Sequence, residues 1–303
     1  MGPTASGKTG VAISLCKRFP LDIISVDSAL VYRGMDIGTA KPDVATLRRA
    51  PHRLIDIRDP EESYSAGDFV RDARAEMDAI FATRRVPLLV GGTMMYFRAL
   101  TEGIAELPPA DAGIRAGIDA DAQQLGWPAM HERLQNVDPK AAKRIKPNDR
   151  QRIQRALEVY LASGKALSAW QESHGGPVQK DVRFVKFALQ PATRKLLHER
   201  IEKRLNFMLN NGFVEEVKVL RERKELTSEH PSMRSVGYRQ LWQHLDGDCS
   251  LEQAAAKALA ATRQLAKRQI TWLRSEQGLK SFDPLEADTI DAISASLIDF
   301  FDA

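Results

Sequence analysis

The amino-acid sequence predicts an α/β protein, with a parallel sheet that carries helices on both faces and an all-α insertion. Three observations favour this class. Strand-like and helix-like segments alternate through the first hundred residues, as they do when helices connect the strands of a parallel sheet. The stretch 2–9 reads GPTASGKT, a G-x-x-x-x-G-K-T pattern that opens a helical segment. From residue 108 the alternation gives way to helical periodicity alone. The predicted core is therefore of the P-loop NTPase type.

The elements of this core follow one another in the order that the fold requires. They are a helix over 10–19, a strand over 21–26, a strand over 53–57, a helix over 65–83 and a strand over 86–90. Pro20 stops the first helix, and the β-branched run after it ends on Asp27. Phe69, Ala73 and Met77 recur at intervals of four, which puts them on one face of the second helix. The last strand is closed by two glycines.

The middle of the chain predicts an insertion. Residues 111–171 have helical periodicity, with breaks at Gly126-Trp127-Pro128, Asp138-Pro139, Pro147-Asn148 and Ser163-Gly164. The alternating run 182–189 predicts a return to the sheet. Further helices are predicted over 194–210, 214–224, 238–245 and 251–274. We therefore predict a core formed by residues 1–107 and 180–303, and a helical insertion domain formed by residues 108–179.

The glycine-rich loop lies unusually close to the first residue. Such a loop normally follows a buried strand, but only Met1 precedes Gly2. We therefore expect a start several residues upstream, with an apolar strand before the loop.

Composition predicts a soluble, cytoplasmic, globular protein. Of the 303 residues, 43% are hydrophobic and 28% are charged, which suffices for a sizeable core. Cys16 and Cys249 lie far apart without ligand spacing, which disfavours a disulfide framework or a zinc site. The six histidines share no ligand spacing either and are interpreted as structural. No apolar run approaches the roughly 20 residues that cross a bilayer, and no signal peptide precedes the loop.

Positive charge is concentrated in two segments, although the net charge is only +4. Residues 140–155 carry seven basic side chains and one acid, and residues 263–274 carry four basic side chains and no acid. Either segment alone is also compatible with an ordinary solvated helix. Two such segments in one chain favour a surface that binds a nucleic-acid backbone.

The G-x-x-x-x-G-K-T pattern predicts a phosphate site. Successive backbone N–H groups cradle phosphate oxygens, while Lys8 adds a positive charge and Thr9 can bind Mg²⁺. The chain has no Asn-Lys-x-Asp element and no late apolar strand ending in Asp, which disfavours GTPases and motor ATPases. A small-molecule kinase remains open on chemistry alone.

Asp27 is predicted at the carboxyl end of a parallel strand, where such sheets bind their ligands. It can hold Mg²⁺ through water, or it can act as a general base towards an acceptor group. A structural helix cap is the third interpretation. The stretch 28–32 has the small-polar and apolar make-up of a pocket wall.

Several long motifs together resemble one family. They are GPTASGKT at 2–9, SVDSALVYRGMDIGTAKP at 25–42, PHRLIDI at 51–57, LLVGGTMMYFRAL at 88–100, NDRQRIQRALEVY at 148–160, SVGYRQ at 235–240 and TRQLAKRQITWLR at 262–274. In this order, and over essentially the whole chain, the sequence resembles the bacterial tRNA dimethylallyltransferases. The sequence departs from the family in one respect: family members carry an apolar segment before the loop, and here only Met1 precedes it.

The resemblance implies transfer of a dimethylallyl group from dimethylallyl diphosphate to N6 of the adenosine immediately 3′ of the anticodon, with release of pyrophosphate. The diphosphate site that it implies comprises Gly2, Pro3, Thr4, Ala5, Ser6, Gly7, Lys8 and Thr9. Asp27 is then the base that accepts the N6 proton, and Lys8 and Arg204 are cations on the diphosphate. Thr9 binds Mg²⁺, the implied cofactor, or contacts the acceptor.

The implied partner is the tRNA anticodon stem-loop, whose target base must leave its stack to react. The residues implied in tRNA contact are Asp27, Ser28, Ala29, Leu30, Thr93, Arg115, Gln151, Arg152, Ile153, Gln154, Arg155, Arg234, Ser235, Val236, Gly237, Tyr238, Arg239, Lys267, Arg268, Gln269, Ile270, Thr271, Trp272, Leu273 and Arg274. The insertion domain is expected to clamp the stem-loop. A monomer without a membrane partner is expected.

Three alternatives stay open. Prenylation of free adenine nucleotides is the nearest, but a mononucleotide needs no basic insertion. A P-loop kinase or ATPase with an incidentally basic surface is the second. The third is a non-catalytic RNA-binding protein, in which Asp27 would be dispensable.

Overall fold

The computed structural model describes residues 1–105, 107–173 and 182–302. The chain forms two compact units. The first comprises Met1–Arg98 with Val182–Ala303, and the second comprises Ala99–Asp181. Each unit has its own hydrophobic core.

Helices outnumber strands in both units. The helices, in chain order, are α1 (Lys8–Cys16), α2 (Val44–Arg49), α3 (Ala66–Ala82), α4 (Met94–Glu102), α5 (Ala112–Leu125), α6 (Trp127–Val137), α7 (Pro139–Arg144), α8 (Arg150–Ser163), α9 (Leu167–Ser173), α10 (Arg194–Asn210), α11 (Phe213–Arg221), α12 (Tyr238–Leu245), α13 (Leu251–Arg274) and α14 (Thr289–Phe301). The strands are β1 (Leu21–Val26), β2 (His52–Arg53), β3 (Val86–Gly91), β4 (Lys186–Leu189) and β5 (Leu279–Phe282). Helices α5 to α9 belong to the second unit.

The larger sheet is parallel, with the strand order β2-β1-β3. β1 is almost wholly buried, as its β-branched composition predicts. Its register pairs Leu21 with Val86 and Val26 with Gly91, so β1 and β3 end side by side. Asp27 and the residues after Gly91 therefore lie at the same edge of the sheet.

The smaller sheet consists of β4 and β5, which are also parallel. Met1 is hydrogen-bonded to β4, because its amine donates to the carbonyl of Phe187 at 2.7 Å and its own carbonyl accepts from Leu189 N–H at 2.9 Å. The glycine-rich loop thus departs from a residue paired with β4. An apolar strand before the loop stays a prediction.

The long helices begin at side-chain caps whose residue types can be recognised in the sequence. Ser65 accepts a hydrogen bond from Asp68 N–H and Asp68 accepts one from Ser65 N–H, a capping box at the start of α3. Ser250 and Gln253 form the same arrangement at the start of α13. The predicted helices over 65–83, 194–210, 238–245 and 251–274 are confirmed, the first with its end residues as caps.

One predicted strand is wrong beyond its first residue. The apolar run 53–57 contributes only Arg53 to β2, because Leu54 and Asp56 adopt φ angles of 61° and 55°. Residues other than glycine rarely adopt this left-handed backbone conformation, and it is incompatible with an extended strand. The run forms a turn whose amides donate to the backbone of Leu30 and Val31.

Other boundaries are corrected by smaller amounts. The helix predicted over 10–19 lies over Lys8–Cys16, the strand predicted over 182–189 is extended only from Lys186, and the helix predicted over 214–224 ends at Arg221. The sequence pattern does not predict β5 or α14.

The second unit is a helical assembly around one core. Ile118, Met130, Leu134, Ile153 and Leu157 are among its buried apolar residues. The helices break at the four turn sites that the sequence predicts. The α/β class, with a parallel sheet and an all-α insertion, is confirmed. None of the helices that the structure describes is long and apolar enough to cross a membrane.

Candidate active site

The glycine-rich loop has the conformation of an anion cradle. Ala5 and Gly7 adopt φ angles of 62° and 94°, which turn the chain sharply before α1. Ser6 N–H donates to the carbonyl of Pro3 at 3.2 Å and closes the turn. At Gly2 a Cβ atom would lie 2.7 Å from the carbonyl oxygen of Leu189, so only glycine fits there. The first turn of α1 follows at once, and its N–H groups have no partners within the helix.

Lys8 folds back over this loop. Its ammonium group donates to the carbonyl of Pro3 at 2.7 Å. Burial lowers the pKa of Lys8 to about 8, Asp27 opposes this shift and Arg204 adds to it. Below about pH 8 Lys8 still carries its charge, and a bound anion would raise its pKa further, so the site offers a cation to a phosphate group.

Helix α10 adds two arginines to the loop. Arg200 Nε donates to the carbonyl of Ala5 at 2.8 Å, and Arg204 donates to the hydroxyl of Thr4. The two arginines are four residues apart and therefore lie on one face of the helix. Burial lowers the pKa of Arg204, as does the charge of Arg200, while Asp27 raises it. Arg204 was predicted in this role, whereas Arg200 was not, although it stands one turn earlier in the same HERIEKR stretch.

Gln269 holds the loop from α13. Its side-chain oxygen accepts from Thr4 N–H at 2.8 Å, and its side-chain nitrogen donates to the carbonyl of Gly92 at 2.8 Å. The side chain is buried. The predicted tRNA contact by Gln269 is therefore corrected: both ends of its amide are engaged within the protein, and they tie the loop to the end of β3.

Asp27 lies directly after β1 at the sheet edge. Its Oδ1 accepts from Ala29 N–H at 2.9 Å and from Leu30 N–H at 3.3 Å. No donor in the described part of the chain hydrogen-bonds to Oδ2. The next residue, Ser28, donates its N–H to the hydroxyl of Thr93 at 3.1 Å. One carboxylate oxygen thus fixes the side chain and the other is available for chemistry.

A cavity of about 600 Å³ joins these groups, which is a usual size for a small-molecule site. Thr4, Asp27 and Arg204 line its polar part. Its apolar part is lined by Tyr32, which ends the predicted pocket wall 28–32. It is also lined by side chains to which the sequence analysis gave no role, namely Met94, Tyr96, Ile201, Leu205, Met208 and Phe213. Several of these lie at helical spacing on α10, a pattern that was indistinguishable from ordinary core.

The cavity opens between exposed residues. Met95, Arg234, Arg268 and Trp272 line it and are exposed to solvent. Arg98 lies over the ring of Trp272, with 6.0 Å between its guanidinium carbon and the ring centroid. The mouth is thus cationic and aromatic.

The predicted tRNA-binding residues of α12 and α13 divide by exposure. Arg239, Lys267, Thr271 and Arg274 are exposed outside the cavity, while Ser235 and Val236 line it. The buried ones are corrected. Leu273 is in the core, and Tyr238 and Gly237 form a wall of the cavity. Ile270 packs against Leu197 and Ile201.

The second unit carries its own charged cluster. Glu158, which is fully buried, accepts from Arg115 Nε at 2.9 Å, from Arg155 at 2.7 Å and from Asp111 N–H at 2.8 Å. These hydrogen bonds outweigh the effect of burial and lower the pKa of Glu158. Arg155 also donates to the carbonyl of Pro108. Both terminal nitrogens of Arg155 thus donate to acceptors inside the unit.

The remaining predicted residues of this unit differ in exposure. Arg152 has 72% of its side chain exposed and only a long, 3.5 Å ion pair with Asp149. Gln151 is exposed, and Gln154 donates to Asp119 at 2.7 Å. Ile153 is fully buried in the core, so a tRNA contact by its side chain is corrected.

The described residues contain no group of three or more His, Cys, Asp or Glu side chains that could hold a metal ion.

Sequence and structure comparisons agree on the relatives of this chain. The family model described as IPP transferase matches residues 30–276. A tRNA dimethylallyltransferase of Thiobacillus denitrificans is 55% identical over 298 residues, which cover 98% of this chain and 94% of that protein.

Solved structures extend the likeness. The full-length tRNA isopentenylpyrophosphate transferase of Bacillus halodurans superposes with a TM-score of 0.72 at 35% identity, covering 98% of this chain and 94% of that one. A eukaryotic dimethylallyltransferase, captured in crystallographic snapshots while acting on tRNA, gives a TM-score of 0.81 at 25% identity, with 99% of this chain and 78% of that one covered. On these grounds the chain belongs to the IPP transferase family.

Proposed function

We propose that this protein transfers a dimethylallyl group from dimethylallyl diphosphate to N6 of the adenosine 3′-adjacent to the anticodon in tRNA. The observation that carries the proposal is the single cavity lined by the phosphate-loop residue Thr4, by Arg204, by the Asp27 carboxylate and by an apolar wall. A prenyl diphosphate has one strongly anionic end and one apolar end, and this cavity offers both environments. The named relatives support the same reaction.

The diphosphate end is the first element of the mechanism. Within the predicted site Gly2 to Thr9, the residues that enter α1, Gly7 to Thr9, offer backbone N–H groups. Lys8, Arg200 and Arg204 surround the loop with positive charge. As the allylic C–O bond breaks, negative charge grows on the departing pyrophosphate. Cations and amides that are already in place stabilise that charge without reorganisation. We expect this to be the largest contribution, because an allylic carbon tolerates partial cation character.

The acceptor end is the second element. The exocyclic N6 of adenine is a poor nucleophile, because its lone pair is delocalised into the ring. In our proposal its lone pair forms the new N6–C1 bond while the C1–O bond electrons leave with pyrophosphate. One N6 proton passes to Asp27, whose Oδ2 is available. The bond changes and the proton transfer then balance.

Mg²⁺ fits this site as an ion held mainly by the diphosphate. Thr9 offers an exposed hydroxyl in the first turn of α1. Hard oxygen ligands, few protein ligands and substrate phosphates are the usual environment of this ion. When bound, Mg²⁺ would supply charge neutralisation on the diphosphate.

The tRNA is proposed to approach the mouth of the cavity. Arg234, Arg268 and Trp272 lie there, exposed, and suit a phosphate backbone and unstacked bases. Ser28, Ala29, Leu30 and Thr93 are proposed to line the channel for the flipped adenine. The exposed basic residues farther along α13, Lys267 and Arg274, extend this surface.

The insertion, residues 108–179, is proposed as a tRNA-binding domain. Arg152 and Gln151 are the exposed candidates for phosphate contacts on α8. Arg115 and Arg155, held by Glu158, contribute a second pair of partly exposed guanidinium groups. We further propose that the enzyme acts as a cytoplasmic monomer.

The decisive test is transfer itself. Purified protein is incubated with Mg²⁺, labelled dimethylallyl diphosphate and unmodified tRNA, with and without ATP. We expect label in tRNA without added ATP, recovered as N6-dimethylallyl-adenosine after nuclease digestion. ATP hydrolysis without labelled tRNA would instead indicate a phosphate-loop kinase or ATPase.

Two controls sharpen the assay. An anticodon stem-loop with guanosine in place of the target adenosine should take up no label. Free AMP should also remain unlabelled, and efficient labelling of AMP would favour prenylation of free nucleotides over tRNA.

A further inference from the structure

The cavity has an open end and a closed end. Arg234, Arg268 and Trp272 at the mouth are exposed, whereas Phe213 and Tyr238 are each 0% exposed. The exposed residues mark the mouth of the cavity, and the buried aromatic residues mark its closed end.

Helix α10 leads from the phosphate loop towards the closed end. Arg204 contacts Thr4 in the loop, and Met208, one turn later, lines the cavity with an apolar side chain. The four residues from Arg204 to Met208 correspond to a rise of about 6 Å along the helix. Phe213 begins the next helix, and it also lines the cavity. Beyond Arg204, the wall formed by Met208 and Phe213 is therefore apolar.

Two aromatic rings and two glycines close the apolar end. The rings of Phe213 and Tyr238 meet edge to face, with centroids 5.0 Å apart. Gly38 packs directly on both rings: a Cβ there would overlap Phe213 and would lie 2.6 Å from Tyr238 Cε2. At Gly237 a Cβ would lie 2.9 Å from Phe213. The closed end is thus packed as tightly as a protein core.

Glu216 fixes this wall in place. Its carboxylate accepts from Ile37 N–H at 2.7 Å, from Gly38 N–H at 3.1 Å and from the hydroxyl of Tyr238 at 2.5 Å. One side chain of α11 therefore ties the glycine turn to the aromatic pair. A wall that is held by charge-assisted hydrogen bonds resists displacement by a longer ligand.

We propose that Phe213, seated on Gly38 and Gly237 and backed by Tyr238, is the chain-length stop that limits the donor to a five-carbon prenyl group. This inference rests on the proposed function, since it takes the ligand to be a prenyl diphosphate. A ten-carbon chain with the same diphosphate would collide with the Phe213 ring. The substitution Phe213→Leu removes the edge of that ring and keeps the side chain apolar.

The test compares dimethylallyl diphosphate with geranyl diphosphate, which has the same allylic carbon and leaving group. For each donor, kcat/KM for transfer to tRNA is measured in the wild type, in Phe213→Leu and in Met208→Ala. Phe207→Leu is the matched control, because Phe207 lies on α10 but is 66% exposed. Thermal melts establish that each variant is folded.

We expect wild type to use dimethylallyl diphosphate and to discriminate against geranyl diphosphate. In Phe213→Leu the ratio of geranyl to dimethylallyl kcat/KM should rise by about 10-fold to 100-fold, the usual range for a change in a hydrophobic pocket. Phe207→Leu should leave it unchanged. If Phe213→Leu does not fold, a rise in Met208→Ala supports the proposal and an unchanged ratio overturns it.

Failure of the inference is separable from failure of the proposed function. A wild type that transfers neither donor contradicts the proposed function. A wild type that transfers dimethylallyl groups, together with folded variants whose ratio does not move, overturns the chain-length stop alone. Equal use of both donors by the wild type overturns it as well.

Discussion

The backbone N–H of Thr4 donates to the side chain of Gln269 at 2.8 Å, although 265 positions separate the two residues in the chain. The side-chain nitrogen of Gln269 in turn donates to the carbonyl of Gly92 at 2.8 Å. A single buried side chain thus sets the position of the phosphate loop relative to the end of β3. Residues that shape a phosphate site need not belong to its motif.

We expect Gln269→Ala to weaken both the fold and the site. The mutation leaves Thr4 N–H without a partner and should cost about 1–3 kcal/mol in the free energy of unfolding. The loop should also lose its position, which raises KM for dimethylallyl diphosphate. Urea denaturation and steady-state kinetics measure the two effects. Gln264→Ala, at an exposed position of the same helix, is the control and should change neither. An unchanged KM would contradict a positioning role.

Asp27→Asn should reduce kcat strongly while tRNA affinity stays nearly constant. The asparagine side chain retains an oxygen that can accept from Ala29 N–H, so the turn should persist. It cannot take the N6 proton, and loss of a general base typically costs about 100-fold to 10,000-fold in rate. Single-turnover transfer and filter binding measure rate and affinity. Asp78→Asn, at an exposed position of α3, is the control. A parallel loss of tRNA binding would make Asp27 a tRNA contact instead of a base.

The rate should also depend on pH through Lys8. Burial lowers the pKa of this ammonium to about 8 in the free enzyme. As pH rises through that value the group loses its charge, so kcat/KM for dimethylallyl diphosphate should fall above pH 8. The bound diphosphate favours the charged form, so kcat should fall only at higher pH. Lys8→Arg keeps a positive charge and should abolish this limb of the profile. A kcat/KM that is flat to pH 10 in the wild type would contradict the assignment.

The same shift has a consequence for stability. Lys8 has a lower pKa in the folded than in the unfolded chain, so the unfolded chain binds more protons between about pH 8 and pH 10.5. The contribution of Lys8 to stability therefore rises through this interval.

Arg152→Ala should weaken tRNA binding and flatten its salt dependence. Loss of one phosphate contact lowers the magnitude of the slope of log K against log salt by about 0.7–0.9. Arg133→Ala is the matched control, because Arg133 lies in the same unit outside the predicted stretch and pairs with Asp121 at 2.7 Å. Binding titrations at several salt concentrations give both slopes. Equal slopes for wild type and Arg152→Ala would remove Arg152 from the interface.

Glu158→Ala should destabilise the helical unit. It would leave Arg115 and Arg155 without their shared acceptor, at a cost of about 2–3 kcal/mol because both guanidinium groups stay partly solvated. The exposed pair of Glu172 with Lys140 is the comparison, and Glu172→Ala should cost less than about 1 kcal/mol. Urea denaturation of both variants, followed by circular dichroism, measures the two costs. If both substitutions lowered the free energy of unfolding by the same amount, Glu158 would contribute no more than an exposed ion pair.

Local signals made much of the fold predictable. Caps such as Ser250 and breakers such as Pro20 are read over a few residues, and the helices that they delimit were found with small errors. The run 53–57 failed for the opposite reason. Its composition favours a strand, but tertiary hydrogen bonds to Leu30 and Val31 accompany a turn with positive φ.

The site residues also differ in how far the sequence predicts them. The loop and Asp27 were predictable because the chemistry resides in a contiguous motif and at a strand end. Gln269 was assigned to tRNA because it lies in the motif at 262–274 that carries the family resemblance, and only the fold shows that its side chain points inward. Phe213 carried no signal at all, because a buried aromatic at the start of a helix is typical of any core.

The connection between Thr4 and Gln269 also bears on biosynthesis. Among the described residues, the side chains from outside the phosphate loop that hydrogen-bond to it come from Arg200, Arg204 and Gln269, all in the last 104 of the 303 residues. A ribosome-bound nascent chain that has exposed only its amino-terminal half has the complete motif but none of these partners. We therefore expect the loop to become ordered late in translation, when α13 has emerged. Incomplete chains should then be unable to release pyrophosphate from the donor.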